Sequence, residues 1–175
     1  KWHLGEDYPF RPQDQGFDEV LIHGAGGIGQ PGDHIDNFRR FREDAYFNPT
    51  LMQNGTAVSS EGYCTDVFTD AAIGFMEATR EHPFFLYLAF NTPHEPHQVP
   101  REYYDRYAHL TFDPAESAEA GMPFTEIPER FRDEVRKIYG MVENIDDNVG
   151  RILAKVDELG LTENTHVIFM SDNGP

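Results

Sequence analysis

Polar side chains able to do chemistry stand at the ends of apolar runs in this chain. His166-Val167-Ile168-Phe169-Met170 breaks into Ser171-Asp172-Asn173-Gly174-Pro175. A strand ending in an adjacent carboxylate and carboxamide presents two hard oxygen ligands to a metal ion, so Asp172 and Asn173 are candidate metal ligands. The run 84–90 likewise leads into Pro93-His94-Glu95-Pro96-His97. In parallel α/β sheets, ligands bind in the crevice at the carboxyl ends of strands. Two prolines stiffen this loop, which makes His94 a candidate site residue and His97 a weaker one. Lys1-Trp2-His3 sets a cation and an imidazole two residues apart. In an extended segment Lys1 and His3 share a face while Trp2 packs inward. An ammonium and an imidazole on one face suit a tetrahedral oxyanion.

Other motifs are better explained structurally. Gly24-Ala25-Gly26-Gly27-Ile28-Gly29 matches the dinucleotide pattern, but Gln30-Pro31-Gly32-Asp33 follows. That is turn chemistry and cannot begin the helix whose amides would face a pyrophosphate, so a loop is expected. Cys64, at a predicted helix start, reads as a small buried residue more than as a reactive thiol. Asp146 and Asp147 lie off an apolar stripe and read as structural or solvated. Asn54-Gly55-Thr56 is a glycosylation sequon, yet a tight turn accounts for it.

These candidates need elements to position them. Asn54-Gly55 predicts a type I′ hairpin over 51–58. Val67/Ala71/Phe75 and Phe68/Ala72/Met76 predict a helix over 65–80, stopped by His82-Pro83. The segment 84–90 is apolar on both faces, as a central parallel strand is. Phe131, Val135, Ile138, Val142, Ile145, Val149, Ile152, Val156 and Leu159 alternate spacings of four and three. They predict one long helix packed on a sheet, with Pro128 near its first turn and Gly160 at its C-terminal cap. Strand, helix and strand joined by the short turn 162–165 make a parallel α/β layer.

With 175 residues, 39% hydrophobic and 13% aromatic, the chain is globular and one domain in length. Its formal charge of −17 leaves no basic face for nucleic acid. The run 84–90, its longest apolar stretch, is far too short to cross a bilayer. One cysteine excludes an internal disulfide.

Taken in order, four segments resemble the type I sulfatases of the alkaline phosphatase superfamily. Lys1-Trp2-His3-Leu4-Gly5 is similar to that family's G-K-W-H-L-G signature. Pro83-Phe84-Phe85-Leu86-Tyr87-Leu88-Ala89-Phe90 with Pro93-His94-Glu95-Pro96 resembles its strand and histidine loop. Residues 139–150, and 164–165 through Ser171-Asp172-Asn173-Gly174, resemble its late helix and metal-binding strand. Arg11-Pro12-Gln13-Asp14-Gln15-Gly16-Phe17-Asp18 looks most like bacterial arylsulfatase-like members. The resemblance implies an α/β fold. Residues 1–175 would form a partial alkaline-phosphatase-like catalytic domain, truncated at both ends, with a mostly parallel sheet and flanking helices.

It also implies a sulfuric ester hydrolase that cleaves a sulfate ester to an alcohol and sulfate. Lys1 would bind sulfate oxygens and the nucleophile. His3 would hydrogen-bond a formylglycine hydrate, and His94 would contact the sulfate and protonate the leaving alcohol. Asp172 and Asn173 would be two ligands of one Ca²⁺ ion. The family's C/S-x-P-x-R nucleophile segment is not found in 1–175. The formylglycine, the remaining Ca²⁺ ligands and a further sulfate-binding Lys are therefore expected outside these residues, and the chain alone is expected to be inert. The implied partner is a sulfated small molecule or carbohydrate, with no nucleic acid and no membrane, and the implied location is periplasmic or secreted. The rivals are a phosphodiesterase or phosphonate hydrolase of the same superfamily, and a non-catalytic acidic calcium-binding module. Asn173 favours the sulfatase, because phosphoryl-transfer relatives tend to carry His there.

Overall fold

The computed structural model describes residues 1–112 and 127–171. Its elements are β1 (Leu21–Ile22), α1 (Ile35–Arg39), β2 (Thr50–Gln53), β3 (Thr56–Ser59), α2 (Cys64–Thr79), α3 (Arg101–Tyr107) and α4 (Glu129–Glu158). Helices and a sheet make a mixed α/β chain. The strands run antiparallel in the order β1-β2-β3. The expected hairpin is present, with Leu51 opposite Val58. Asn54 and Gly55 have φ of 48° and 85°, the two positive values a type I′ turn requires. Asn54 also clamps the hairpin to the strand before it. Its Oδ1 accepts from Val20 N at 2.8 Å, and its own N–H donates to Val20 O at 2.9 Å.

The helix α2 buries the Phe68, Ala72 and Met76 row, while Val67 and Phe75 are half-covered and Ala71 is exposed. Phe68 joins Ile28, Ala45, Tyr46, Leu51, Tyr63, Cys64 and Met141 in the core. Cys64 is fully buried, and burial pushes its thiol up to about 12, so it is inert as a nucleophile.

The long helix α4 runs close to its predicted bounds. It ends in a Schellman pair, with Gly160 N bonded to Asp157 O at 2.9 Å and Leu161 N to Val156 O at 2.9 Å. Its packing differs from expectation. It lies against α2 and α3 instead of a sheet, and its deepest residues are Gly140, Met141, Asn144, Asn148 and Val156. Of the predicted stripe only Val156 is among them, whereas Phe131 and Val142 are 48% exposed. Two asparagines displace the contact face because both find a partner. The Nδ2 groups of Asn144 and Asn148 donate to Asp66 Oδ1 on α2 at 3.0 and 2.6 Å. A hydrogen-bonded buried amide is tolerated where an unpaired one is not. Gly140 then allows α3 to approach closely, since a Cβ there would lie 3.2 Å from the Tyr103 carbonyl carbon and from Val99 Cγ2.

Among the described residues no ladder is parallel. The segment 84–90 alternates between half-buried (84, 86, 88) and exposed (85, 87), with Phe85 73% exposed. That is strand periodicity with one face covered, where both faces were expected to be buried. Residues 166–170 are exposed throughout. Neither segment pairs with another strand among the described residues, and a strand acquires its ladder only from a neighbour. No helix among the described residues is long and apolar enough to cross a membrane.

Candidate functional site

The loop 91–98, which carries His94, is fixed through its main chain. Tyr46 is fully buried and its hydroxyl donates to the carbonyls of His94 at 2.9 Å and Glu95 at 3.1 Å. Gln98 closes the other end. Its Oε1 accepts from Tyr46 N at 2.9 Å, its Nε2 donates to Phe41 O at 2.9 Å, and its carbonyl accepts from Tyr63 OH at 2.8 Å. At the start, Thr92 Oγ1 is 3.0 Å from Thr65 Oγ1 on α2. A loop pinned at both ends holds its exposed histidine in one place.

The glycine loop 24–30 forms the facing wall. Its amides at Gly24, Gly29 and Gln30 are taken up within the loop and by Asp33. Asp33 accepts from Gly24 N at 2.9 Å, Gly29 N at 2.7 Å and Asn37 Nδ2 at 2.9 Å. Asn37 in turn exchanges two bonds with the Thr50 backbone. The helix that follows, α1, is only five residues long. The turn expected from Gln30-Pro31-Gly32-Asp33 is therefore what forms, and a side-chain carboxylate takes the place a phosphate would have in a dinucleotide fold.

This loop stands between two of the candidate histidines. Gly26 faces His3, where an added Cβ would lie 3.5 Å from the Nε2 of that ring and 3.1 Å from Gln30 Oε1. Gln30 reaches across to His94, with its Nε2 placed 3.3 Å from His94 Nδ1. That ring nitrogen is also 2.9 Å from its neighbour's carbonyl, Glu95 O. A carbonyl can only accept, so Nδ1 carries the hydrogen, and a turned Gln30 amide presents its oxygen to the same N–H. His94 Nε2 is left as the outward nitrogen. Gln30 is thus a candidate for the site that the sequence reading did not single out. Its one visible signal was its place next to glycines short enough to let two rings approach.

Lys1 and His3 fit expectation less closely. Trp2 does pack inward, edge-on against Phe17 at 5.7 Å, and its Nε1 donates to Phe10 O at 2.7 Å. His3, however, has φ of 57°. The segment turns there, so the simple alternation of an extended strand does not set its face. Lys1 N donates to Ala89 O at 2.6 Å, which ties the start of the chain to the segment that leads into His94. Lys1 lines a small cavity of about 90 Å³ with Glu19, Phe68 and Tyr87.

Among the described residues, no group of three or more His, Cys, Asp or Glu could hold a metal ion. Asp172 and Asn173 lie outside the described residues. Asp147 accepts from Tyr103 OH at 2.9 Å and Asp146 is exposed, in keeping with structural and solvated roles.

A family model described as Sulfatase matches residues 1–175. The chain is 31% identical over 169 residues to the uncharacterized sulfatase YdeN of Escherichia coli (strain K12), covering 94% of this chain and 24% of that protein. It is 30% identical over 190 residues to the Homo sapiens N-acetylgalactosamine-6-sulfatase, covering 99% of this chain and 29% of that enzyme. The crystal structure of Ps i-CgsB in complex with k-i-k-neocarrahexaose matches with a TM-score of 0.63 and 25% identity, covering 93% of this chain and 34% of that one. The chain therefore spans about a quarter to a third of the length of these relatives.

Proposed function

Because the chain belongs to the sulfatase family, we propose that the whole protein hydrolyses the sulfate esters of carbohydrates. Water and the ester are consumed, and the alcohol and inorganic sulfate are released. The observation that supports this reading is that Gly26 faces His3 and Gln30 reaches His94 from the same loop. Two imidazoles from distant parts of the chain, one with its Nδ1 hydrogen held by acceptors, form an acid–base pair that can face one small anion.

In this reading His94 acts as the imidazolium, keeping its Nδ1 hydrogen and giving the Nε2 proton to the leaving alcohol as the bond between sulfur and oxygen breaks. His3 hydrogen-bonds the attacking group, and Lys1 offsets charge on the sulfate oxygens. Gln30 positions His94. Asp172 and Asn173 are proposed as ligands of a Ca²⁺ ion, whose chemistry when bound would be charge stabilisation of the sulfate. A carbohydrate substrate is supported by the relatives. One is named as an N-acetylgalactosamine-6-sulfatase, and one structure was determined in complex with k-i-k-neocarrahexaose.

The test measures sulfate release by the whole protein from an activated aryl sulfate and from a sugar sulfate. His94→Ala should lower turnover of the sugar sulfate by about 10²- to 10⁴-fold, and that of the aryl sulfate much less, since a good leaving group needs little protonation. Equal losses on both would remove the general-acid role. Gln30→Ala should show the same bias in weaker form.

A further inference from the structure

Two arginines stand apart from the other cations of this acidic chain. In Arg39-Arg40-Phe41-Arg42 the second arginine is spent on structure. Its guanidinium reaches Asp44 Oδ1 at 2.7 Å and the carbonyls of Asp44, Phe47 and Asn48 at 3.0, 2.6 and 3.3 Å. Arg39 and Arg42 are exposed and make no hydrogen bond or ion pair among the described residues. Carboxylates are not scarce, with 31 Asp and Glu against 14 Lys and Arg. Glu43 even follows Arg39 at the four-residue spacing that commonly pairs charges on a helix. Two guanidinium forks left open in such surroundings are available to an anion that the chain does not supply.

The face that carries them is fixed and partly apolar. Along α1 and the turns after it, Ile35, Phe38, Arg39 and Arg42 recur at helical spacing. All four are exposed, Ile35 by 51% and Phe38 by 46%. Asn37, which points the other way, is buried and bonded to Asp33 and Thr50, so the helix cannot roll. A guanidinium fork matches the oxygens of a sulfate, and an aromatic ring beside it packs against the C–H face of a sugar. The exposed carboxylates of Asp36, Glu43 and Asp44 flank the arginines. They oppose a continuous line of phosphates, whereas sulfates spaced along a sugar chain can meet each arginine separately.

This patch is separate from the candidate site. Arg42 and Glu95 line a groove on the far side of the histidine loop, and neither His3 nor Gln30 lines it. A ligand that engages both places has to pass around the loop, which takes a chain of sugars and not one ring. We propose that Ile35, Phe38, Arg39 and Arg42 form an anchoring surface for a polysulfated polysaccharide, holding sulfates remote from the ester that is cleaved. The choice of polymer rests on the carbohydrate sulfatase reading, and the surface itself is tested by binding.

The test titrates the whole protein calorimetrically with a hexasaccharide sulfated on every sugar, and with the same hexasaccharide carrying a single sulfate. Arg39→Gln combined with Arg42→Gln should weaken binding of the first roughly two- to thirtyfold, the worth of two exposed ion pairs, and leave the second nearly unchanged. Arg39→Lys with Arg42→Lys should fall between, because lysine keeps the charge and loses the fork. The loss should shrink as salt rises. Arg80→Gln with Arg101→Gln controls for net charge and should weaken binding less, since those cations are already paired with Glu81 and Asp105. No binding of the polysulfated hexasaccharide by the wild type, or equal binding by wild type and the double glutamine variant, would overturn the proposal. So would equal losses for both oligosaccharides. A wild-type dimer that the double glutamine variant dissolves would give this face to a second copy of the chain and reject the anchoring role. Sulfate release is followed separately, and binding without release removes the sulfatase reading while the anchoring surface stands.

Discussion

The loops around His94 and the helices α2, α3 and α4 solve the same problem with different means. In the loops, buried side chains hold main-chain atoms. Asp33, Asn37, Tyr46 and Gln98 each make at least one bond to a backbone N–H or C=O. In the helices the backbone satisfies itself, and side chains bond to one another across the gap. Asp66 receives Asn144 and Asn148, Arg106 pairs with Glu143 at 2.6 Å, and Arg151 pairs with Asp70. The contrast explains why a functional loop can be irregular and still rigid. Irregular backbone is costly only where its polar groups are left unpaired.

Breaking the loop side of this contrast should have the largest effect. Asp33→Ala removes one acceptor from two amides and a fully buried asparagine, and should cost about 2–4 kcal/mol in a urea denaturation series. A loss under about 1 kcal/mol would mean that water replaces the carboxylate and that the loop is not held as described.

The next effect is a pH dependence. His23 is 3% exposed, and burial lowers its pKa from 6.5 to about 4. Its Nδ1 lies 2.7 Å from Gly24 O, while its Nε2 has no partner among the described residues. The unfolded chain binds the proton more readily than the folded one. Stability should therefore fall as pH drops below 6.5 and level off near 4, by up to about 3 kcal/mol. His23→Leu should flatten this part of the stability profile, and an unchanged acid limb would assign it to other groups.

The smallest effect sharpens the helical side. Gly140 and Gly150 both lie on α4, but only the first is crowded. Gly140→Ala should destabilise by about 1–3 kcal/mol through overpacking against Val99 and Tyr103. Gly150→Ala meets nothing within 4 Å and should stabilise by up to ~1 kcal/mol. Thermal midpoints moving in the same direction for both would contradict the close approach of α3.

What was legible in the sequence follows the same division. The hairpin at Asn54-Gly55, α2 and α4 are written in spacings of two, three and four, so they could be read locally. The buried face of α4 could not, because Asn144 and Asn148 look polar until Asp66 arrives from 78 and 82 residues away. Gln30 was hidden for a similar reason, since its contact with His94 spans 64 residues and no pattern encodes it. The segments 84–90 and 166–170 have strand composition, but pairing is a property of two segments and cannot be read from one.

The grip of Tyr46 on this molecule has a practical reach. Its hydroxyl addresses the carbonyls of His94 and Glu95, and every residue type has a carbonyl. The path of the loop is thus independent of which side chains it displays. Non-proline replacements at 95 and 97, sampled together in a library, should redirect what the loop recognises while leaving the course of its backbone where Tyr46 and Gln98 have set it. Tyr46 itself is the position that such an effort has to leave alone.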